Sequence, residues 1–363
     1  MSIAPQLPFQ LQRLGPVMEP DLNDPNEVWG VLNPASARLG DNLYLYPRIV
    51  AEGNYSRIGI AQVIFDAQGK PTGVERRGFA LEPGTEYERA ERTGGGVEDP
   101  RVTYVEPLKR WVMAYTALSQ FGPRIALAVS TDLFHWERLG LLDWDTIEGE
   151  DFSQYGNKDG MFFPDVVLDS QGKPALALLH RPTYLVHRPD GTILLEVPGN
   201  AHDERESIWI AYISLEGAQD DIKNLVHVYG SELLATPEES WESLKIGGGT
   251  PPIQTPYGWL TFYHGVSGTV SLDPAVPKNV CYVAAAMVLD LERPTKILYR
   301  SPRPALEPEL HTEMHGIVPN VVFPTAIDVR GDGVLDVYYG MADSSIGVAT
   351  TTIPDHIAID THQ

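Results

Sequence analysis

One three-part pattern returns five times along this chain, and few folds can absorb such a repeat. Each copy ends in a short strand of small and branched residues. These are RIGIA from Arg57, RIALAVS from Arg124, SIWIAYIS from Ser207, YVAAAMV from Tyr282 and SIGVATT from Ser345. An aromatic-rich strand precedes each: NLYLYPRIV from Asn42, RWVMAYTAL from Arg110, PALALLHRP from Pro174, GWLTFYHGV from Gly258 and VLDVYYGMAD from Val334. Further upstream lies an element centred on proline: Asn33-Pro34, Asp99-Pro100, Phe163-Pro164, Pro251-Pro252 and Phe323-Pro324. A period of roughly 65–85 residues with three or four strands suits one large propeller blade. Five copies fill the 363 residues. The pattern predicts an all-β fold, a five-bladed β-propeller. Residues 1–363 form one domain with a short N-terminal extension. A β-sandwich is the alternative, but it gives no reason for order and spacing to return together.

Composition narrows the partners. Hydrophobic residues make up 43% of the chain, enough for a large core. Lys and Arg total 27 against 49 Asp and Glu, a net charge of −22. Such a chain will not track a nucleic-acid backbone or an anionic membrane without a strong basic patch. Cys281 is the only cysteine, which excludes an intrachain disulfide and a cysteine metal cluster. The N-terminus has no signal-peptide pattern, and no apolar run approaches membrane-spanning length. A cytoplasmic protein is the expectation. A homo-oligomer is left open.

Two features carry chemistry. The run Gly94-Gly95-Gly96-Val97-Glu98-Asp99-Pro100-Arg101 brings a carboxylate pair to a proline element. Proline pushes the residue before it toward extended backbone. Asn33, Asp99 and Phe163 are therefore expected to converge on an axial pocket. Strand alternation lets only one of Glu98 and Asp99 face it, and the position favours Asp99. The second feature is a scarce set of bases at matched positions of the repeat: Arg48, Arg181 and His264 at the ends of aromatic strands, and Lys158 and Lys245 just before proline elements. Converging cationic groups bind an anion, and guanidinium forks match phosphate oxygens. An acid beside a phosphate-sized site suggests glycoside phosphorolysis, in which phosphate replaces the water and base of an inverting glycosidase.

With these residues in place, the chain resembles the inverting β-mannoside phosphorylases of glycoside hydrolase family 130. The matching segments are GVLNPASARLGDNLYLYPRI, GGGVEDPRVTYVE, KDGMFFPDVV with LLHRP, KIGGGTPPIQTPYGWLTFYHGV, and VPNVVFPTAI with YYGMADSSIGVAT. They run in order through nearly the whole chain. The resemblance implies a five-bladed propeller that turns β-linked mannosides and inorganic phosphate into α-mannose 1-phosphate, with no cofactor or metal. It makes Asp99 the general acid, acting through a sugar hydroxyl. It places phosphate on Arg48, Lys158, Arg181, Lys245 and His264, and the mannosyl ring on Asn33 and Asp343. It puts acceptor contacts on His187 and Glu98. Two positions depart from the pattern: Lys158 where some phosphorylases have Arg, and Asp159 where some have Asn.

Two other readings remain. A β-mannosidase on the same scaffold needs a second carboxylate, for which Asp159, Asp165 and Glu242 are candidates. A non-catalytic carbohydrate-binding propeller needs none. The HTEMH run, with His311, Glu313 and His315, has metal-ligand spacing but is read as structural, because Pro308 and Gly316 argue against a helix. The insertion VHRPDGTILLEVPGNAHDERES between Arg181 and Trp209 is expected to shape the acceptor side.

Overall fold

The computed structural model describes residues 7–90, 94–146, 151–188, 190, 192–199, 201–269, 279–331 and 333–358; the side chain of His187 lies outside that description. The fold is mostly β, 57% strand. Among the described residues, α-helix is confined to Leu215–Asp220 and His311–Met314. No described helix is long and apolar enough to cross a membrane.

Strand pairing divides the chain into five four-stranded antiparallel units. Unit 1 is Gly30–Leu39, Asn42–Ala51, Tyr55–Phe65 and Pro71–Leu81. Unit 2 is Gly95–Val105, Arg110–Ser119, Gly122–Ser130 and Glu137–Leu141. Unit 3 is Tyr155–Phe162, Pro174–His187, Ile208–Ser214 and His227–Ala235. Unit 4 is Lys245–Gly248, Gly258–Thr269, Asn279–Leu289 and Ile297–Arg300. Unit 5 is Val322–Val329, Val334–Met341 and Ser345–Thr352, completed by Gln12–Met18 from the N-terminus. The expected N-terminal extension therefore supplies a strand to the last unit. The aromatic and small-residue strands of the repeat are the second and third strands of each unit.

Turn chemistry fixes some of these pairings. DAQGKP at 66–71 and DSQGKP at 169–174 form the same turn. In each, an Asp carboxylate accepts from the amides two and four residues on, and the Gly takes a positive φ of 74° or 78°. A glycine also sets the approach of units 1 and 2. Gly96 pairs with Ser56 at φ 126°, and a Cβ there would lie 2.2 Å from the Ser56 carbonyl oxygen.

The first strand of unit 1 packs against those of units 2 and 5, and that of unit 3 against those of units 2 and 4. One buried apolar cluster sits between each successive pair of units. Tyr46, Ile58, Met113 and Tyr115 join units 1 and 2. Leu127, Phe162, Leu178 and Trp209 join units 2 and 3. Ile210, Tyr212, Tyr263 and Met287 join units 3 and 4. Phe262, Ala286, Val337 and Tyr339 join units 4 and 5. Val31, Leu45, Tyr338 and Ile346 join unit 5 to unit 1.

A buried glutamate staple holds the entry to three of the units. Glu88, Glu242 and Glu313 stand third in the short helical turns leading into units 2, 4 and 5. Each accepts two backbone amides: Gly84 and Thr85, Glu238 and Glu239, Glu309 and Leu310. Each accepts a tyrosine hydroxyl from the second strand, Tyr115 at 2.7 Å, and Tyr263 and Tyr339 at 2.8 Å. Each pairs with an arginine of the fourth strand: Arg138, Arg300 or Arg13. Unit 1 keeps part of the pattern: Glu27 pairs with Arg76 at 2.7 Å and accepts one backbone amide, that of Asp21, at 2.8 Å. Burial opposes ionisation of Glu88 and Glu313, yet these donors hold both carboxyls below their usual range. The HTEMH run does form one helical turn, His311–Met314, against the expectation drawn from Pro308 and Gly316, but Glu313 is occupied there in a structural role. Replacing Tyr339 with Phe should cost about 1.5–3 kcal/mol, the value of a buried hydrogen bond to a charged group. Urea denaturation of wild type and variant measures it.

Candidate active site

Backbone geometry at one position of units 1, 2 and 3 builds the site. In unit 1, Leu32 pairs with Arg48 and Ala35 with Tyr46, so residues 33 and 34 bulge from the ladder. In unit 2, Glu98 pairs with Thr116 and Arg101 with Ala114, so 99 and 100 bulge. In unit 3, Lys158 pairs with Arg181 and Met161 with Leu179, so 159 and 160 bulge. The bulged residues Asn33, Asp99 and Asp159 have φ of 44°, 45° and 57°. Asn and Asp tolerate this left-handed region better than other non-glycine residues, and bulges re-aim side chains beside functional sites.

Two expectations are corrected here. The pre-proline residues Asn33 and Asp99 are left-handed, not extended. The surrounding strands override the local preference, and such strain costs on the order of 1–3 kcal/mol at each position. The third member of the set is Asp159, not Phe163. Phe163 is fully buried against Trp259 in the apolar cluster between units 3 and 4. The common signal is an Asn or Asp able to adopt positive φ; proline accompanies it in only two of the three copies.

The bulge also brings both members of the Glu98-Asp99 pair to the site, where alternation had allowed one. The Arg48 guanidinium meets Glu98 Oε1 at 2.6 Å and Asp99 Oδ1 at 3.4 Å. Asn33 Nδ2 donates to Asp99 Oδ1 at 2.9 Å. Lys158 Nζ lies 3.5 Å from Glu98 Oε2. Asp343, at φ 51°, is among the charges felt by Arg48. Burial pushes the Asp99 carboxyl up, but Arg48, Lys158 and Arg101, with the Asn33 hydrogen bond, outweigh it and hold the carboxyl below its usual range.

A second group adjoins the first. Arg181 Nε donates to Asp159 Oδ2 at 2.7 Å, and its Nη1 donates to Glu206 Oε2. Lys245 Nζ lies 3.5 Å from the same Glu206 oxygen and 5.9 Å from the centre of the Tyr282 ring. His264 stacks on Tyr282 and meets Phe323 edge-on, with ring centres 4.5 Å apart in the second contact. Gly247 allows this closeness: a Cβ there would sit 2.4 Å from His264 and 2.6 Å from both Arg181 and Asp159.

The sequence pattern counts His264 among the cations, but its surroundings make it neutral. Burial lowers its pKa to about 3, and the Arg181, Lys245 and Arg101 charges act the same way against Asp159. It is neutral near pH 7. Its Nδ1 lies 3.1 Å from the Gly248 carbonyl oxygen, which can only accept. Nδ1 therefore carries the proton, and Nε2 is an acceptor.

Arg101 ties the two groups together and was missed as a site-forming residue. Its side chain is wholly buried. It donates to the carbonyl oxygens of Asp99 at 2.8 Å, Gly249 at 3.0 Å and Gly248 at 3.3 Å. It also lies 3.6 Å from Asp159 Oδ1 and covers the Phe323 ring. Glu206 was missed too, because it closes an insertion with no repeat to compare it with. Asn33, Arg48, Glu98, Asp99, Lys158, Arg181, Lys245, His264 and Asp343 thus fall into adjoining groups. The contacts expected of His187 lie outside the described side chains.

The candidate water-activating carboxylates are otherwise engaged. Asp159 is clamped by Arg181 and Arg101, which hold it strongly ionised against the effect of burial. Glu242 is a buried staple. Asp165 is exposed, with an oxygen accepting from the Val166 amide.

Comparison with known proteins identifies the family. Residues 10–359 match the family 130 glycoside hydrolase model, described as β-1,4-mannooligosaccharide phosphorylase. A β-1,2-mannobiose phosphorylase of Thermoanaerobacter sp. (strain X514) is 31% identical over 359 residues, 94% of this chain and 97% of the relative. The β-1,2-mannobiose phosphorylase of Listeria innocua, solved with β-1,2-mannobiose, superposes with a TM-score of 0.69 at 24% identity, covering 94% of this chain and 97% of that one. A structure from work on family 130 hydrolases that target β-1,2-mannosidic linkages in Candida mannan gives a TM-score of 0.71 at 22% identity, covering 99% and 98%. With a family model spanning nearly the whole chain and a full-length relative above 30% identity, this protein belongs to the mannoside phosphorylases of glycoside hydrolase family 130.

Proposed function

We propose that the protein catalyses inverting phosphorolysis of β-linked manno-oligosaccharides, giving α-mannose 1-phosphate and a shortened acceptor. The observation that carries this reading is Asp99 set within contact of Arg48 and beside Lys158, next to a second basic pair, Arg181 and Lys245. The five units form a five-bladed propeller, a closure supported by the apolar cluster between units 5 and 1. Residues 1–363 then act as one catalytic domain.

Each residue has a role in this scheme. Asn33 and Asp343 hold the mannosyl ring, while Glu98 and His187 face the acceptor. Arg48, Lys158, Arg181 and Lys245 hold phosphate, so one of its oxygens attacks C1 from the face opposite the leaving group. Neutral His264, with Nε2 as acceptor, suits a phosphate hydroxyl rather than a bare oxyanion. Phosphate charge counters the pull of Arg48 and Lys158 on Asp99, so the carboxyl takes a proton from solvent and delivers it toward the leaving oxygen as the glycosidic bond breaks, while the proton of the attacking hydrogen phosphate returns to solvent. Hydrolysis lacks support from Asp159, Asp165 and Glu242, all engaged elsewhere or exposed.

The test is a panel of β-1,2-, β-1,3- and β-1,4-linked mannobioses incubated with phosphate. At least one should yield a mannose phosphate and one free sugar. No turnover of any of them, under conditions where the protein is folded, sinks the proposal.

A further inference from the structure

The basic cluster is already neutralised before any substrate arrives. Arg48, Arg101, Lys158, Arg181 and Lys245 face Glu98, Asp99, Asp159, Glu206 and Asp343, five charges of each sign. A phosphate dianion entering this set meets no net attraction unless a carboxylate leaves. The five carboxylates differ in their freedom to do so. Asp99 and Asp159 are fixed on bulges and buried. Glu98 lies on an inner strand with its side chain 2% exposed.

Glu206 is different. One oxygen of its carboxylate, Oε2, is shared by the Arg181 guanidinium and the Lys245 ammonium. That is the placement of a phosphate oxygen between two bases. Its side chain is 22% exposed, so it has a path to solvent. Its backbone is anchored, since the Ile246 amide donates to the Glu206 carbonyl at 3.1 Å. Rotation of the side chain therefore leaves the strand entry in place. It also stands at the end of the insertion between Arg181 and Trp209, a stretch with no counterpart in the repeat pattern.

We propose that Glu206 is a built-in competitor for phosphate: in the free enzyme it occupies the place of a phosphate oxygen between Arg181 and Lys245, and phosphate binds by displacing it. The carboxylate keeps the two bases apart and oriented without a ligand, at the expense of phosphate affinity. This inference rests on the phosphorolytic reading above. Glu206 is a positioning residue in this scheme, acting on substrate through the two bases it holds.

The sign of one measurement separates this from a plain structural role. Isothermal titration of inorganic phosphate into wild type and Glu206→Gln, without sugar, should show about tenfold tighter binding to the variant, near 1.4 kcal/mol. Glu206→Ser should shift the same way, and Glu206→Asp, which keeps the charge, should stay near wild type. A carboxylate needed only to position Arg181 and Lys245 predicts weaker binding in Gln and Ser alike. Unchanged or weaker binding in both overturns the proposal. Mannoside consumption by wild type with and without phosphate is run alongside. Phosphate-dependent turnover with no tightening in the variants defeats this inference alone. Phosphate-independent release of free mannose defeats the phosphorolytic reading and this inference with it.

Discussion

Asp99→Asn should lower kcat by about 10²–10⁴, the usual worth of a general acid. Asparagine is the informative substitution because it preserves the local structure. It tolerates a φ near 45°, and its side-chain oxygen can still accept from Asn33 Nδ2. Only the transferable proton and the negative charge are lost. Phosphate affinity should not suffer, since the variant removes a carboxylate 3.4 Å from Arg48. The KM for phosphate should hold or fall while kcat collapses, which steady-state kinetics with both substrates varied will read. There is a linked effect of pH. The folded-state carboxyl of Asp99 lies below its unfolded value, so its stabilising contribution is present near neutrality. That contribution is lost as the pH falls from the ordinary carboxylate range through the folded value. The Asn variant should lose this part of the acid sensitivity. An Asp99→Asn enzyme with wild-type kcat would contradict the assignment.

Arg101→Met should destabilise the fold by about 3–5 kcal/mol, the typical result of removing one partner from a buried charged network. Methionine fills much of the volume but supplies no donor. The carbonyl oxygens of Asp99, Gly248 and Gly249 would lose their guanidinium, and Asp159 would keep only Arg181 as a close ionic partner. The three carbonyls come from units 2 and 4 and from the link after the first strand of unit 4. Loosening there should disturb the site before the outer strands. Denaturant midpoints with unchanged slopes give the magnitude. A loss below about 1 kcal/mol would mean that Arg101 does not tie the units together.

The sequence made the repeat legible because each unit spends the same residue types on the same strands. Aromatic second strands and small-residue third strands pack against the neighbouring unit, so the pattern had to return. The fourth strands were not legible. Pro71–Leu81 and Glu137–Leu141 lie at the exposed side of their units and carry mixed polar residues. The last unit borrows its fourth strand from the other end of the chain, which no local pattern announces. Most of the candidate site was found from the bases and from Glu98-Asp99. The misplacement of Phe163 has a definite origin. Proline marks the axial element in only two copies, whereas a two-residue bulge with a positive-φ Asn or Asp recurs in all three. Gly160 follows Asp159 where Pro34 and Pro100 follow their partners, so the third copy carries no proline signal. Arg101 was visible only as a neighbour of the acidic pair. Its reach to Gly248 and Gly249 spans more than 140 positions, a contact that only the assembled units create.

The most direct test of the account is the fate of the mannosyl group when phosphate is the only variable. Wild-type enzyme is given its preferred mannobiose in phosphate and in phosphate-free buffer, and products are followed by phosphorus and proton NMR from the first minutes. One equivalent of α-mannose 1-phosphate should appear for each free sugar released, and turnover should fall away without phosphate. Free mannose formed at the same rate in both buffers, or a β-configured sugar phosphate, would contradict it.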